Sequence, residues 1–275
     1  MDFDFSNDQE QLRDAVRKWV DKGDTFERPT SIVRAGGFSR AAWTELAELG
    51  LCGLYISEDH GGMGMGPTEG MLAMEELGRG IVMEPLAHAL IAGGVFSGYA
   101  PADVQAEWLP KVASGEALIV LAHQERKARY QLDKCEAKAT PAQAGWTLTA
   151  TKSIVPAGDQ ADAYLVPAMV DGTLAMFLVE RNASGVIAQG YGTQDGSRAA
   201  EVVFDNAAAT LVTRDGLTAL EHAVDIGIAA LCAEAVGVMD KPLDITVDYM
   251  NQRKQFGVTI ASFQALRHPV ADVKM

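Results

Sequence analysis

The chain has 275 residues, 48% of them hydrophobic and 22% charged, which suits one large domain or two to three small ones and not a disordered segment. Its net charge of −14 argues against nucleic acid or an anionic membrane surface as a partner, because phosphate binding is driven by clustered Lys and Arg. Cys52, Cys135 and Cys232 form no CxxC pair, and the histidines (His60, His88, His123, His222, His268) form no HExxH, so neither a disulfide framework nor a metal site is expected. No basic segment leading into an apolar one opens the sequence, and no run of ~18 apolar residues is visible, so a cytoplasmic location is expected.

The first region, residues 1–116, reads as helical. Ser6 and Gln9 make a capping box, after which Leu12, Val16, Trp19 and Val20 recur at helical spacing. A second helix starts near Ser39 with Trp43, Leu46 and Ala47 on one face. A third starts at Thr68, and Pro101–Val112 repeats the pattern. Residues 117–213 change texture: Leu118–Ala122, Trp146–Thr151, Ala163–Val166 and Leu174–Val179 are short apolar runs separated by Gly, Pro, Asp and Asn, as in an antiparallel barrel or sandwich. Helical period returns in residues 214–275, the start of a helical bundle. Pro242 and Pro269 are expected to interrupt or distort it. The class is α+β in the order helices, strands, helices, which disfavours a doubly wound parallel sheet.

Four segments invite a chemical reading. Gly61–Gly66 resembles a phosphate loop but accommodates neither GxGxxG nor GK[ST], so a turn is expected. Glu75 and Glu76 point about 100° apart on a helix, and a solvated face is expected for them. His123–Tyr130, directly after a strand, is either a surface loop or a binding loop whose N–H groups and arginines hold phosphate oxygens. Arg253–Gly257 closes a helix with Gly as its stop, and its cations suit the helix dipole. An arginine beside an aromatic ring there could equally grip a pyrophosphate and stack near an adenine.

The sequence resembles the acyl-CoA dehydrogenase family over essentially its whole length. The features that carry the likeness are Glu75-Glu76-Leu77-Gly78, Gly145-Trp146-x-Leu148 with Lys152, and Arg253-x-x-Phe256-Gly257 followed by Phe263-Gln264. His123–Tyr130, Tyr191–Gly196 and Leu231–Gly237 are similar to the small subunits of two-component pimeloyl-CoA dehydrogenases.

The resemblance implies FAD-dependent α,β-dehydrogenation of an acyl-CoA thioester, possible dicarboxylic substrates, an electron-transfer acceptor, and a homo- or hetero-oligomer, a dimer or tetramer, that can include a large subunit. It assigns Leu121, His123, Gln124 and Tyr130 to the first flavin-binding strand and loop, and Ile154, Val155 and Pro156 to the side of the isoalloxazine. Arg253, Gln255, Phe256 and Gln264 would reach the FAD of a neighbouring subunit. Tyr130 and Asp225 fall at acyl-CoA contact positions.

The chain also departs from the family's pattern. Gln124-Glu125-Arg126 stands where the family has Thr-Glu-Pro, Tyr130 where a Ser commonly meets the acyl-CoA, and Ile228 where Asp225 usually has an Arg partner. Pro156 replaces a hydroxyl donor to the flavin, and proline cannot donate. The common catalytic Glu is expected beyond Met275, and its alternative position is Gly227, so no catalytic residue is assigned. Glu125 is expected to face cofactor or solvent. Two further readings follow: a non-catalytic subunit that completes a partner's flavin site, and a truncated inactive form. A nicotinamide enzyme is disfavoured, since glycine fingerprint and βαβ rhythm are both missing.

Overall fold

A computed structural model describes residues 4–23, 27–143 and 145–274. The N-terminal part is helical: α1 (Asn7–Lys22), α2 (Glu27–Arg34), α3 (Arg40–Glu48), α4 (Pro67–Arg79), α5 (Leu86–Tyr99) and α6 (Ala102–Ala113). Ser6 caps α1 as expected: its hydroxyl accepts the Gln9 N–H at 3.2 Å and the Gln9 side chain returns to the Ser6 N–H at 2.9 Å. Ser39 caps α3 in the same way, accepting from the Ala42 N–H. The apolar face of α1 buries Leu12, Val16 and Val20.

The strands are β1 (Ile119–Leu121), β2 (Lys138–Ala142), β3 (Gly145–Pro156), β4 (Ala163–Val170), β5 (Thr173–Glu180), β6 (Val186–Gly192) and β7 (Arg198–Thr213). The pairings β4–β2–β3–β7–β5 return to β4 and so close a barrel, with β1 added to β4 and β6 added to β7. The expected barrel is present, but it is not wholly antiparallel, because β1 and β2 both pair β4 in parallel. Tyr164 and Phe204 meet edge to face inside it, with ring centroids 5.5 Å apart.

α7 (Gly216–Gln252) runs 37 residues without a break and packs on α4, α5 and β5. The expected interruption at Pro242 is therefore corrected: helix continues on both sides of it, as it does around Pro269 in α8 (Gln264–Lys274). A proline removes a single N–H from the ladder, and the remaining bonds carry the helix past it. α7 also contains an 18-residue window long and apolar enough, by length and composition alone, to cross a membrane, a test that core helices pass as well; the expectation that no such stretch exists is corrected.

The Gly61–Gly66 segment is a turn, as its spacing implies. Gly61 and Gly64 adopt positive φ, and a Cβ on Gly62 would lie 2.1 Å from the Ile56 carbonyl oxygen. Glu76 contradicts the expected solvated face. It is 2% exposed and takes Arg17 at 2.5 Å and Arg79 at 2.8 Å. Arg17 lies 59 residues earlier in the chain, so no local pattern announces the pair.

Arg253–Gly257 does not end α7 with a glycine. The helix stops at Gln252, and β8 (Lys254–Gln255) and β9 (Val258–Thr259) form a hairpin. Phe256 (φ 53°) and Gly257 (φ 80°) are its turn, the two positive-φ positions that a two-residue hairpin loop demands.

Candidate active site: the loop after β1 against the β3 bulge

β1 hands over to a loop at Ala122, whose N–H donates to the Leu165 carbonyl at 2.8 Å. The loop then folds back on β3, where the Ser153 N–H donates to the Gln124 carbonyl at 2.9 Å. Beneath it lies a buried ion pair. Lys152 Nζ is 2.7 Å from Glu125 Oε1, and the two side chains are 0% and 7% exposed. Lys152 also donates to the Pro167 carbonyl at 3.0 Å, while Glu125 accepts the backbone N–H groups of Glu136 (2.6 Å) and Ala137 (3.2 Å). Glu125 therefore points inward, away from solvent, which corrects the expectation for it. Burial alone would push its carboxyl up, but the Lys152 charge and the hydrogen bonds from Lys152, Glu136 and Cys135 outweigh that and hold it below the usual carboxylate range.

Two histidines face this loop. His88 of α5 accepts the Leu121 N–H on Nδ1 at 3.3 Å, which leaves its proton on Nε2. Burial, reinforced by His123, pushes His88 down to about 4. Burial and the Lys152 charge push His123 down to about 4. Both are neutral near pH 7, and His123 Nδ1 is buried without a hydrogen-bond partner.

β3 bulges beside the loop. Lys152 pairs Val202 and Val155 pairs Ala200, so Ser153 and Ile154 together oppose Glu201. Ile154 has φ 52°, rare for a β-branched residue, and is 56% exposed. Glu201 accepts the Ser153 hydroxyl at 2.9 Å and the Ile154 N–H at 3.3 Å.

The structure thus brings Leu121, His123 and Gln124 to the same edge as Ile154, Val155 and Pro156. Leu121 and Val155 are buried, His123 and Gln124 half-buried, Ile154 and Pro156 exposed. Tyr130 lies farther along the loop, its side chain almost wholly in solvent. Asp225 is exposed on α7. Arg253, Gln255, Phe256 and Gln264 form a separate exposed group at the far end of α7, where the hairpin and α8 pack on that helix. Gly227 is half-buried, and a Cβ there would only touch Ile91 Cδ1 at 3.4 Å. Sequence reasoning missed His88, Glu201 and the inward pairing of Glu125; the one signal for the last was Lys152 in the Gly-Trp-x-Leu…Lys pattern.

Residues 6–116 match the family model for the acyl-CoA dehydrogenase N-terminal domain, and residues 214–275 match that for the C-terminal domain. The chain is 27% identical over 277 residues to acyl-CoA dehydrogenase FadE27 of Mycobacterium tuberculosis, covering 99% of this chain and 72% of that one. It is 27% identical over 290 residues to a mitochondrial isovaleryl-CoA dehydrogenase of Solanum tuberosum, covering 98% and 69%. The solved ChsE4–ChsE5 complex of Mycobacterium tuberculosis superposes with a TM-score of 0.85 at 26% identity, covering all of this chain and 76% of that one. The chain belongs to the acyl-CoA dehydrogenase family.

Proposed function

We propose that this chain is an FAD-dependent acyl-CoA dehydrogenase subunit that works in an oligomer and acts on acyl-CoA thioesters of the dicarboxylic, pimeloyl-CoA-like kind. The observation that carries the reading is the single edge formed by Leu121, His123 and Gln124 with Ile154, Val155 and Pro156, beside the unpartnered Nδ1 of His123. That edge fits a flavin: it has a neutral ring atom without a partner, exposed apolar surface at Ile154, and a rigid base of buried ion pair. Bound FAD supplies the hydride acceptor. The chain's own residues hold and orient. His123 and Gln124 present the loop, and Ile154 and Pro156 provide an apolar wall that excludes water. Pro156 donates no hydrogen bond, so polar contacts to the ring fall to other groups of the edge, His123 Nδ1 among them. Arg126 and Lys127 are 80% and 74% exposed on the same loop, a local excess of cations in an acidic chain that suits a terminal carboxylate or the phosphates of CoA.

A second reading is favoured by Gly227. At the position that the resemblance gives to a base on this helix, glycine has no side chain to take the α-proton, so this chain would complete the flavin site of a partner that carries the base.

The test is a visible absorption spectrum of the purified chain with FAD, alone and with a candidate partner, followed by turnover of pimeloyl-CoA and a straight-chain acyl-CoA with an artificial acceptor. Retained flavin absorption supports the site, and its loss in both preparations overturns it. Turnover of about 1–10³ per second by the chain alone sinks the second reading, and turnover that appears only with the partner supports it.

A further inference from the structure

We propose that Glu201 is a positioning residue: its carboxylate holds the β3 bulge in shape and so presents Ile154 and Pro156 to the cofactor. The inference rests on the flavin site described above. A bulge leaves one extra residue without a ladder partner, and here the freed N–H of Ile154 and the hydroxyl of Ser153 both turn to one side chain on β7, one to each carboxylate oxygen. Ile154 could relax out of its positive φ if its N–H were released, and the exposed side chain would then re-aim. The loop is tied to the same carboxylate, since Arg126 Nη2 lies 3.5 Å from Glu201 Oε2.

Consecutive loop residues thus engage two paired strands, β3 and β7. Glu125 pairs with Lys152 inside the barrel, and Arg126 pairs with Glu201 outside it. The outer pair is 80% and 26% exposed, so its ionic attraction is weak, and the weight falls on the two hydrogen bonds that Glu201 accepts. Tyr191 of β6 faces the same carboxylate: its phenol is pushed up first by burial and then by the Glu201 charge. The anion also bears on the flavin's chemistry, because a fixed negative charge near the ring opposes the charge that reduction adds.

The experiment compares Glu201→Gln and Glu201→Ala with Glu136→Gln, which removes the same charge from the exposed Lys127–Glu136 pair of the loop after β1, away from the bulge. FAD affinity, flavin midpoint potential, hydrogen exchange over residues 152–156 and thermal midpoint are measured for each. Glu201→Gln and Glu201→Ala are expected to bind FAD about tenfold more weakly, exchange faster over residues 152–156, and shift the potential upward, with a thermal midpoint close to that of Glu136→Gln. FAD affinity and potential indistinguishable from Glu136→Gln in both Glu201 variants overturn the proposal, as does unchanged exchange over residues 152–156. If the unmutated chain holds no flavin, alone or with a partner, the parent reading fails and this one with it. A flavin-bearing wild type with insensitive Glu201 variants sinks this proposal alone.

Discussion

Lys152 Nζ and Glu125 Oε1 stand 2.7 Å apart with both side chains out of water, and between them they tie β3, β4 and the loop after β1 into one unit. Removing one partner leaves the other charge buried without its counter-ion. Lys152→Met should therefore cost about 3–5 kcal/mol, and the double variant Lys152→Met with Glu125→Leu should recover much of that. Urea denaturation of the three proteins measures it, and a double variant less stable than the single one would refute the account.

The same pair sets a response to acid. The Glu125 carboxyl is held below its ordinary value in the folded chain, so its stabilisation is present above the unfolded value and is lost as pH falls through the folded one. His88 and His123 act earlier in the titration. Each is lowered to about 4, so between about 6.5 and 4 the unfolded chain binds protons that the folded chain refuses. Stability should decline from pH 6.5 downward, and His123→Gln should flatten that decline. Thermal midpoints measured across this range decide it: equal slopes for the two proteins would count against the assignment.

α4 and α7 touch backbone to backbone. A Cβ on Gly237 would lie 1.8 Å from the Glu75 carbonyl oxygen, and one on Gly78 would lie 2.1 Å from the Glu234 carbonyl oxygen. Neither obstacle is a movable side chain, so Gly237→Ala and Gly78→Ala should each destabilise by about 3 kcal/mol. Gly98 of α5 has nothing within 4 Å of its added Cβ, and Gly98→Ala should stabilise by up to about 1 kcal/mol through helix propensity. Thermal unfolding of the three variants gives the comparison, and a tolerant Gly237→Ala would show that the helices can part.

Arg253→Ala should lower flavin retention more than Glu75→Ala does. Arg253 is exposed at the end of α7 with its fork of donors available to a pyrophosphate, whereas Glu75 is half-buried on α4. The flavin-to-protein ratio after gel filtration reads this, and equal ratios would remove Arg253 from the site.

Much of the fold was legible because its signals are local. Ser6 with Gln9 and Ser39 at its helix start are capping chemistry within four residues, and the strand runs at Trp146, Ala163 and Leu174 sit inside β3, β4 and β5. α5 gives no such periodicity, since Leu86–Phe96 is buried on most sides and reads as uniform apolar sequence. Phe256-Gly257 reads as a helix stop, and only the pairing of Gln255 with Val258 makes it a hairpin turn. The site's charged residues were harder still. Glu125 meets Lys152 across 27 positions and Glu201 meets Ser153 across 48, so which way each carboxylate points depends on strand pairing that no short window contains. Proximity in the chain revealed the loop; only the barrel revealed its supports.

The unbroken course of α7 has a consequence for how changes in the chain would be felt at a distance. At 1.5 Å per residue its 37 residues make a rod of roughly 55 Å, with the barrel edge at one end and the Arg253 hairpin at the other. A single residue inserted past the last contact with α4 would advance the hairpin by only about 1.5 Å but rotate it by about 100° around the rod. Arg253 and Phe256 would then address a different quadrant, with every hydrogen bond in the barrel intact. The bearing of the hairpin is thus set by a count of residues, and length variation in this helix should be far less tolerable than substitution along it.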